Sequence, residues 1–487
     1  MINPGRQDKT NPEAERTPLI NQWAPTLKTN GKSKYMGVVK AIEEGIEQGQ
    51  LTPGMRLPPQ REIARYFQVT IATVTRAISL AASRGLVVAR PGSGTFIASA
   101  SPAPAATAGT VGNDIGTNTI VRDLSLNAPP VTVVEDILQE NLEDLTKDGS
   151  LMPSAFDHDP IPGHISHRAA ACQWLGLRGL KITPDHVLIT QGAHEGLLVC
   201  LAALTQPGDV VLCESLNYTG LRRIGQLLRI RLVGIDMTTE GICLESLQSL
   251  LKQHEPKAIV CTPVTHNPTT ITYSSRCREG LGRIATAADV PVIEDDIYGL
   301  FSKDEAVPLS VTHPDNTILV TSLSKTVAAG IRVGYIVADA ALLPRLRDEM
   351  FTLGWTAPSL QMAFATRLIE SGRALQCLER HTAEAIRRID MAHRILGKAL
   401  HPVDKVPSYH VWVETGATRP GDLSAELYRQ GILVSPASHF VIGEGPAPHA
   451  LRLSLGQAPD AQTLQLPLEL IAHRLTDNVT SMLGSIV

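Results

Sequence analysis

The sequence predicts a chain in two parts: a small basic module of three helices and a β-hairpin, then a large α/β body ending in a smaller α+β unit. Three observations carry this. Beyond residue 122, short β-branched runs (HVLIT, DVVLCE, AIVCTPV, PVIEDD, TILVTS, VGYIVA) alternate with helical stretches, the pattern of a doubly wound sheet. Residues 99–121 are mostly Ala, Pro, Ser, Thr and Gly without large apolar periodicity, which marks a linker stiffened at first by Pro102 and Pro104. Residues 31–98 carry nine Lys/Arg against four Glu, or +5, so the remainder of a chain of net charge −4 carries −9. A basic module on an acidic body is the electrostatic pattern of a DNA reader.

At 487 residues the chain is too long for one core. It suggests about three domains of roughly 150 residues. Its 43% hydrophobic and 19% charged residues are ordinary for a soluble globular protein. No apolar run approaches the roughly 20 residues that span a bilayer. The first residues, MINPGRQDKTNPEAER, are polar and mixed in charge, unlike a secretory signal. Residues 1–30 as a whole are expected to be disordered. Seven scattered cysteines form no C-x-x-C pair, so no metal site or disulfide framework is expected, and a reducing cytoplasm is the simplest location.

In the basic module, Met36, Val39, Ile42 and Ile46 recur at helical spacing. Gly54 and Pro58-Pro59 then break the chain, and a second helix opens at Gln60. Thr70 can cap a third helix, TIATVTRAISLAASR, whose Val74, Ala77, Ile78 and Ala81 form an apolar stripe, and Gly85 ends it. LVVAR and TFIA flank PGSG, a tight hairpin. This describes a winged helix-turn-helix over 31–98. The pattern Gly49, Leu51, Gly54, Arg56, Leu57, Pro58, Arg61 resembles that of the GntR family of regulators. The resemblance implies that Thr70–Arg84 is the recognition helix, entering the major groove of double-stranded DNA. It implies phosphate and base contacts from Arg56, Arg61, Thr70, Thr73, Thr75 and Arg76, with Gly92 and Gly94 at the wing. Ile71 stands where many family members carry Arg.

The body's chemistry centres on Ser322-Leu323-Ser324-Lys325 and Arg332. A lysine amine forms a Schiff base with an aldehyde, and hydroxyls with an arginine suit a phosphate; together they suit pyridoxal phosphate (PLP). Gln191-Gly192-Ala193-His194 is a small-residue turn opening a helix, which suits an anion but also opens many ordinary helices. Tyr218 can stack on a flat ring or simply pack. Asn267-Pro268 offers an amide or only a turn. In IEDDIYGLF two acids follow an apolar strand; a carboxylate facing a pyridinium would resolve its burial, and a solvated strand end would serve equally.

In this order the pieces resemble fold-type I PLP enzymes, the class I/II aminotransferases, over residues 122–487, with a small C-terminal subdomain from about 370. The resemblance implies that Lys325 carries PLP as an internal aldimine and that Asp295 holds the pyridinium N–H. It implies that Asn267 and Tyr298 bond the phenolic oxygen and that Tyr218 stacks on the ring. Phosphate would fall to Gly192, Ala193, His194, Ser322, Ser324 and Arg332, and a substrate α-carboxylate to Arg452 in Arg452-Leu453-Ser454. Thr270 replaces the usual Gly after Asn-Pro-Thr, and Leu216 the usual Pro before the stacking aromatic.

Winged helix, linker and aminotransferase-like body together resemble MocR-type regulators, a branch of GntR. That implies a homodimer on an operator with two half-sites and an effector that is PLP, an amino acid or an amine. The leading expectation is a transcriptional regulator that senses through aldimine formation at Lys325. The alternative is an active aminotransferase with a fused DNA-binding domain, since no expected catalytic residue is missing. A structural adaptor would be expected to have lost Lys325 or Asp295, and both are present.

Overall fold

The computed structural model describes residues 34–97 and 122–483, apart from short stretches at 48–49, 53, 84–85, 91–93, 148–155, 157–158, 303–306, 401–406 and 444. The expected tail, the linker, Gly85 and Gly92 lie outside the described residues. The chain divides into two compact units, residues 1–107 and 108–487.

The first unit holds α1 (Lys34–Glu47), α2 (Gln60–Tyr66), α3 (Ile71–Ser83), β1 (Val87–Arg90) and β2 (Gly94–Ile97). Val38, Val39 and Ile42 of α1 pack against Val74, Ala77, Ile78 and Ala81 of α3, as the 3.6-residue period predicts. Met36 is an exception, lying exposed outside that stripe. Burying each Val or Ile stabilises the fold by about 1.5–3 kcal/mol. Thr70 caps α3: its Oγ1 accepts the Thr73 N–H at 3.2 Å. β1 and β2 pair antiparallel from Val87↔Ile97 to Arg90↔Gly94, and Arg56 bridges to Phe96 on the hairpin's other edge.

The second unit begins with β3 (Arg122–Asp123) and helices α4 (Glu135–Lys147) and α5 (Ile165–Gly176). Its main sheet takes β4 (Val187–Thr190), β5 (Val210–Glu214) and β6 (Arg231–Ile235). After the small hairpin β7 (Met237–Thr238) and β8 (Gly241–Ile242) come β9 (Ala258–Cys261), β10 (Val292–Asp295), β11 (Thr317–Ser322) and β12 (Gly334–Val337). The order is β4-β12-β11-β10-β9-β5-β6. β12 runs antiparallel to both neighbours and the other pairs are parallel. Helices cover both faces, so strands such as β11 are buried at every residue and read as unbroken apolar runs. Alternation sends Val187 and Ile189 into one core and Leu188 into the other.

The smaller unit follows the long helix α6 (Arg373–Leu396). It contains β13 (His410–Glu414), β14 (Ile432–Leu433), β15 (Ser435–Pro436) and β16 (Ala450–Ser454), with the sheet order β13-β16-β15. β3 pairs parallel with β14, and Leu124 joins the core of this unit. The first residues after the linker therefore belong to the C-terminal subdomain, beyond the expected 370–487. Among the described residues no helix is long and apolar enough to cross a membrane.

Candidate cofactor and DNA-binding sites

Six strands of the main sheet point the same way, so their C-terminal ends share one edge, where open α/β sheets bind ligands. Register sets Thr190 beside Gly334 and Gly334 beside Ser322, which brings the Gly192 turn next to the Ser322–Lys325 stretch. Crowding there requires glycine. A Cβ on Gly334 would lie 2.6 Å from the Gly192 backbone, and one on Gly192, whose φ is +92°, would press on the Arg332 guanidinium. Arg332 Nη2 donates to the Gln191 carbonyl at 2.8 Å. Ser322 Oγ accepts the Ser324 N–H at 3.4 Å, while Ser324 Oγ is buried without a partner among the described residues. Ala193 and His194 open the helix that follows, and the His194 ring meets Tyr218 edge-on at 6.0 Å.

Asp295 ends β10 and is buried, and its Oδ1 has no hydrogen-bond partner among the described residues. Burial, then the charges of Asp296 and Glu214, push its carboxyl up to about 7. Its neighbour Asp296 is already committed: Arg178 donates to it twice, at 2.8 and 3.0 Å. Of the two acids, Asp295 is the one with a free buried oxygen. The Lys325 amine donates to the Asn127 carbonyl. Burial first, and then Arg452, lower it from 10.5 to about 8. An unpaired carboxylate, a lysine made nucleophilic and a cradle too tight for a Cβ fit PLP, which has a ring nitrogen, an aldehyde and a phosphate to meet them.

Arg452, on β16, is buried with no carboxylate on it among the described residues. It donates to Asn267 Oδ1 at 3.1 Å, to the Ser125 carbonyl and to Ser435 Oγ at 3.5 Å, and its guanidinium lies 5.0 Å from the Phe440 ring centre. Its Nε is unpartnered among the described residues. Asn267 is thus engaged by Arg452 through its oxygen, and Tyr298 by Asn127, whose Nδ2 donates to the phenol oxygen at 2.6 Å. Thr270, the residue in place of glycine, holds the turn at φ +64°, a region a β-branched residue rarely enters. Leu216 bridges to Val441. Sequence reasoning missed Asn127 and Arg178.

In the first unit, Arg56, Arg61, Thr70, Thr75 and Arg76 are exposed and Thr73 is half-buried. Thr75 Oγ1 donates to Gln60 Oε1 at 2.8 Å, and Thr73 Oγ1 shares a 2.8 Å hydrogen bond with Thr70 Oγ1. Arg76 lies 4.5 Å over the Tyr35 ring. A Cβ on Gly94 would stand 2.8 Å from Arg56 Nε, so glycine lets that arginine lie along the hairpin.

Residues 119–467 match the family "Aminotransferase class I and II", and residues 34–97 match "Bacterial regulatory proteins, gntR family". The chain is 28% identical over 470 residues to the uncharacterized HTH-type transcriptional regulator YdeF of Bacillus subtilis, covering 94% of this chain and 97% of that one. It is 26% identical over 432 residues to the vitamin B6 salvage pathway transcriptional repressor PtsJ of Salmonella typhimurium, covering 87% and 95%. Among solved structures, an archaeal alanine:glyoxylate aminotransferase superposes with a TM-score of 0.67 at 22% identity, over 73% of this chain and 91% of that one. The α-aminoadipate aminotransferase LysN of Thermus thermophilus superposes with a TM-score of 0.66 at 20% identity, over 74% and 93%. The chain belongs to the aminotransferase class I and II family, a family that typically binds PLP, and carries that body behind a gntR-type helix-turn-helix domain, the architecture of MocR-type transcriptional regulators.

Proposed function

We propose that this regulator senses through PLP held on Lys325, with an amino acid or amine as effector. The observation that carries the reading is the buried, unpartnered oxygen of Asp295 on the same sheet edge as a lysine lowered to about 8. When bound, PLP supplies an aldehyde for the lysine and an electron-withdrawing ring. Asp295 would hold the ring nitrogen's proton, and Tyr218 would stack on the ring. Tyr298 and the free amide nitrogen of Asn267 would face the phenolic oxygen. The Gly192, Ala193 and His194 amides, Ser322, Ser324 and Arg332 would hold the phosphate. Arg452, lacking a carboxylate, would take that of an amino acid; its two terminal nitrogens suit a bidentate pair.

On the DNA side, Arg56, Arg61, Thr70, Thr73, Thr75 and Arg76 would meet phosphates and base edges, with the Gly92–Gly94 wing beside them. The functional unit is a homodimer, which matches an operator of two half-sites.

DNA footprinting with and without PLP tests the reading. Two half-sites should be protected, Arg61→Ala should reduce the slope of log affinity against log salt by about 1, and Lys325→Ala should abolish the response to PLP. Operator occupancy indifferent to PLP and to every amino compound would sink the sensor. The intact Arg452 site keeps transamination as the second reading. Amino-acid titration separates the two: a reversible shift of the bound cofactor's visible band marks sensing, and its conversion to the amine form marks turnover.

A further inference from the structure

Asn127 lies in the strap Asp123–Ala128, which begins one residue after the described chain resumes at Arg122. Asp123 Oδ1 builds the strap's turn by accepting the Ser125 N–H at 2.7 Å, the Ser125 hydroxyl at 2.6 Å and the Leu126 N–H at 3.2 Å. The strap then lies across the site. Its Ser125 carbonyl accepts from Arg452, its Leu126 carbonyl from the Ser454 hydroxyl at 2.6 Å, and its Asn127 carbonyl from Lys325. Three consecutive carbonyls, Ser125 to Asn127, are therefore held, the first and last of them by groups expected to meet the ligand.

From there the Asn127 side chain reaches Tyr298. Its amide donates to the phenol oxygen at 2.6 Å, and its own Oδ1 is buried without a partner among the described residues. Tyr298 is fully buried. A phenol oxygen that is accepting one hydrogen bond has its own hydrogen left to donate elsewhere, and the structure offers that hydrogen no protein acceptor among the described residues. Burial pushes the Tyr298 hydroxyl well above its ordinary range, so it remains a donor.

We propose that Asn127 is a positioning residue of the cofactor site, whose side-chain amide occupies the Tyr298 oxygen and thereby aims the Tyr298 proton at the ligand. The inference rests on the PLP reading. The acceptor would be the cofactor's phenolic oxygen, which carries negative charge when the lysine linkage is deprotonated. A donor aimed there favours the deprotonated form, so losing it raises the pH at which the linkage titrates.

The test uses full-length protein loaded with PLP, and reads the midpoint of the pH titration of the bound cofactor's visible absorbance. Tyr298→Phe removes the donor and sets the full effect, an upward shift of about one to two pH units, the size of a hydrogen bond to a charged group. Asn127→Asp cannot donate and takes the Tyr298 proton for itself. It should reproduce at least half of the Tyr298→Phe shift. Asn127→Ala keeps the backbone carbonyl on Lys325 and loses the amide, so it should shift in the same direction and serves if the aspartate variant does not fold. Midpoints for the Asn127 variants that coincide with the unaltered protein, while Tyr298→Phe shifts, overturn the inference and leave the PLP reading intact. Absence of a borohydride-reducible link at Lys325 in the unaltered protein defeats the PLP reading itself, and the inference with it.

Discussion

The Lys325 amine should capture aldehydes near neutral pH. Only the neutral amine attacks a carbonyl, and the site lowers its pKa from 10.5 to about 8. At pH 7.5 a sizeable fraction of the amine is then neutral, against about one in a thousand for an ordinary lysine, a gain on the order of a hundredfold. Burial is the largest cause and Arg452 the next, while Asp295 pulls the other way. Two substitutions should therefore move the midpoint in opposite directions. Arg452→Met removes a neighbouring cation and should raise it, short of 10.5 because burial remains. Asp295→Asn removes an anion and should lower it. The assay is stopped-flow capture of PLP, in excess, across pH 6–11, followed by the absorbance of the lysine linkage. The same shift adds stability as pH rises between about 8 and 10.5, where the folded chain has shed a proton that the unfolded chain still holds. A capture midpoint near 10.5, or one that both substitutions move in the same direction, would refute the electrostatic account.

Two other predictions concern the scaffold. Arg178 and Asp296 have side chains only 3% and 2% exposed, so Arg178→Met strands a buried charge and should cost about 3–5 kcal/mol in urea unfolding of the body, with part recovered in Arg178→Met/Asp296→Asn. A loss below about 1 kcal/mol, or no recovery in the double variant, would mean that the arginine mainly fills space. Thr70→Ala deletes the cap of α3 and should cost the N-terminal unit about 1 kcal/mol, visible as faster hydrogen exchange of the amides in Ile71–Ser83; unchanged protection there would contradict the capping role.

Much of this fold was legible because its strands are buried on both faces: VLIT, VVLCE and TILVTS are unbroken apolar runs, and a covered parallel sheet makes such runs. β6 escaped notice because it is an edge strand with only Ile235 fully buried. The antiparallel sense of β12 has no local signature, since direction is decided by where the chain returns. Motif spacing pointed to Lys325, Asp295 and Arg452 because each follows or interrupts an apolar strand. The family spacing names Asp295 rather than Asp296; what it does not show is why Asp296 is unavailable, which comes from Arg178, 118 residues away in sequence. Asn127 sits in an irregular stretch, LNAPP, whose importance comes only from the lysine and tyrosine brought to it from 198 and 171 residues away.

The strap is also a mooring. The chain that leads back to the DNA-binding unit reaches only as far as its attachment allows. Were Arg122–Asn127 to come loose, the attachment would retreat to Ala128, and the free chain would gain up to about 20 Å of reach. For a fully flexible tether this is a small change. Lengthening 23 residues to 29 lowers the effective concentration of one tethered unit near the other by only about 30%. A stiff tether would pass on most of the displacement.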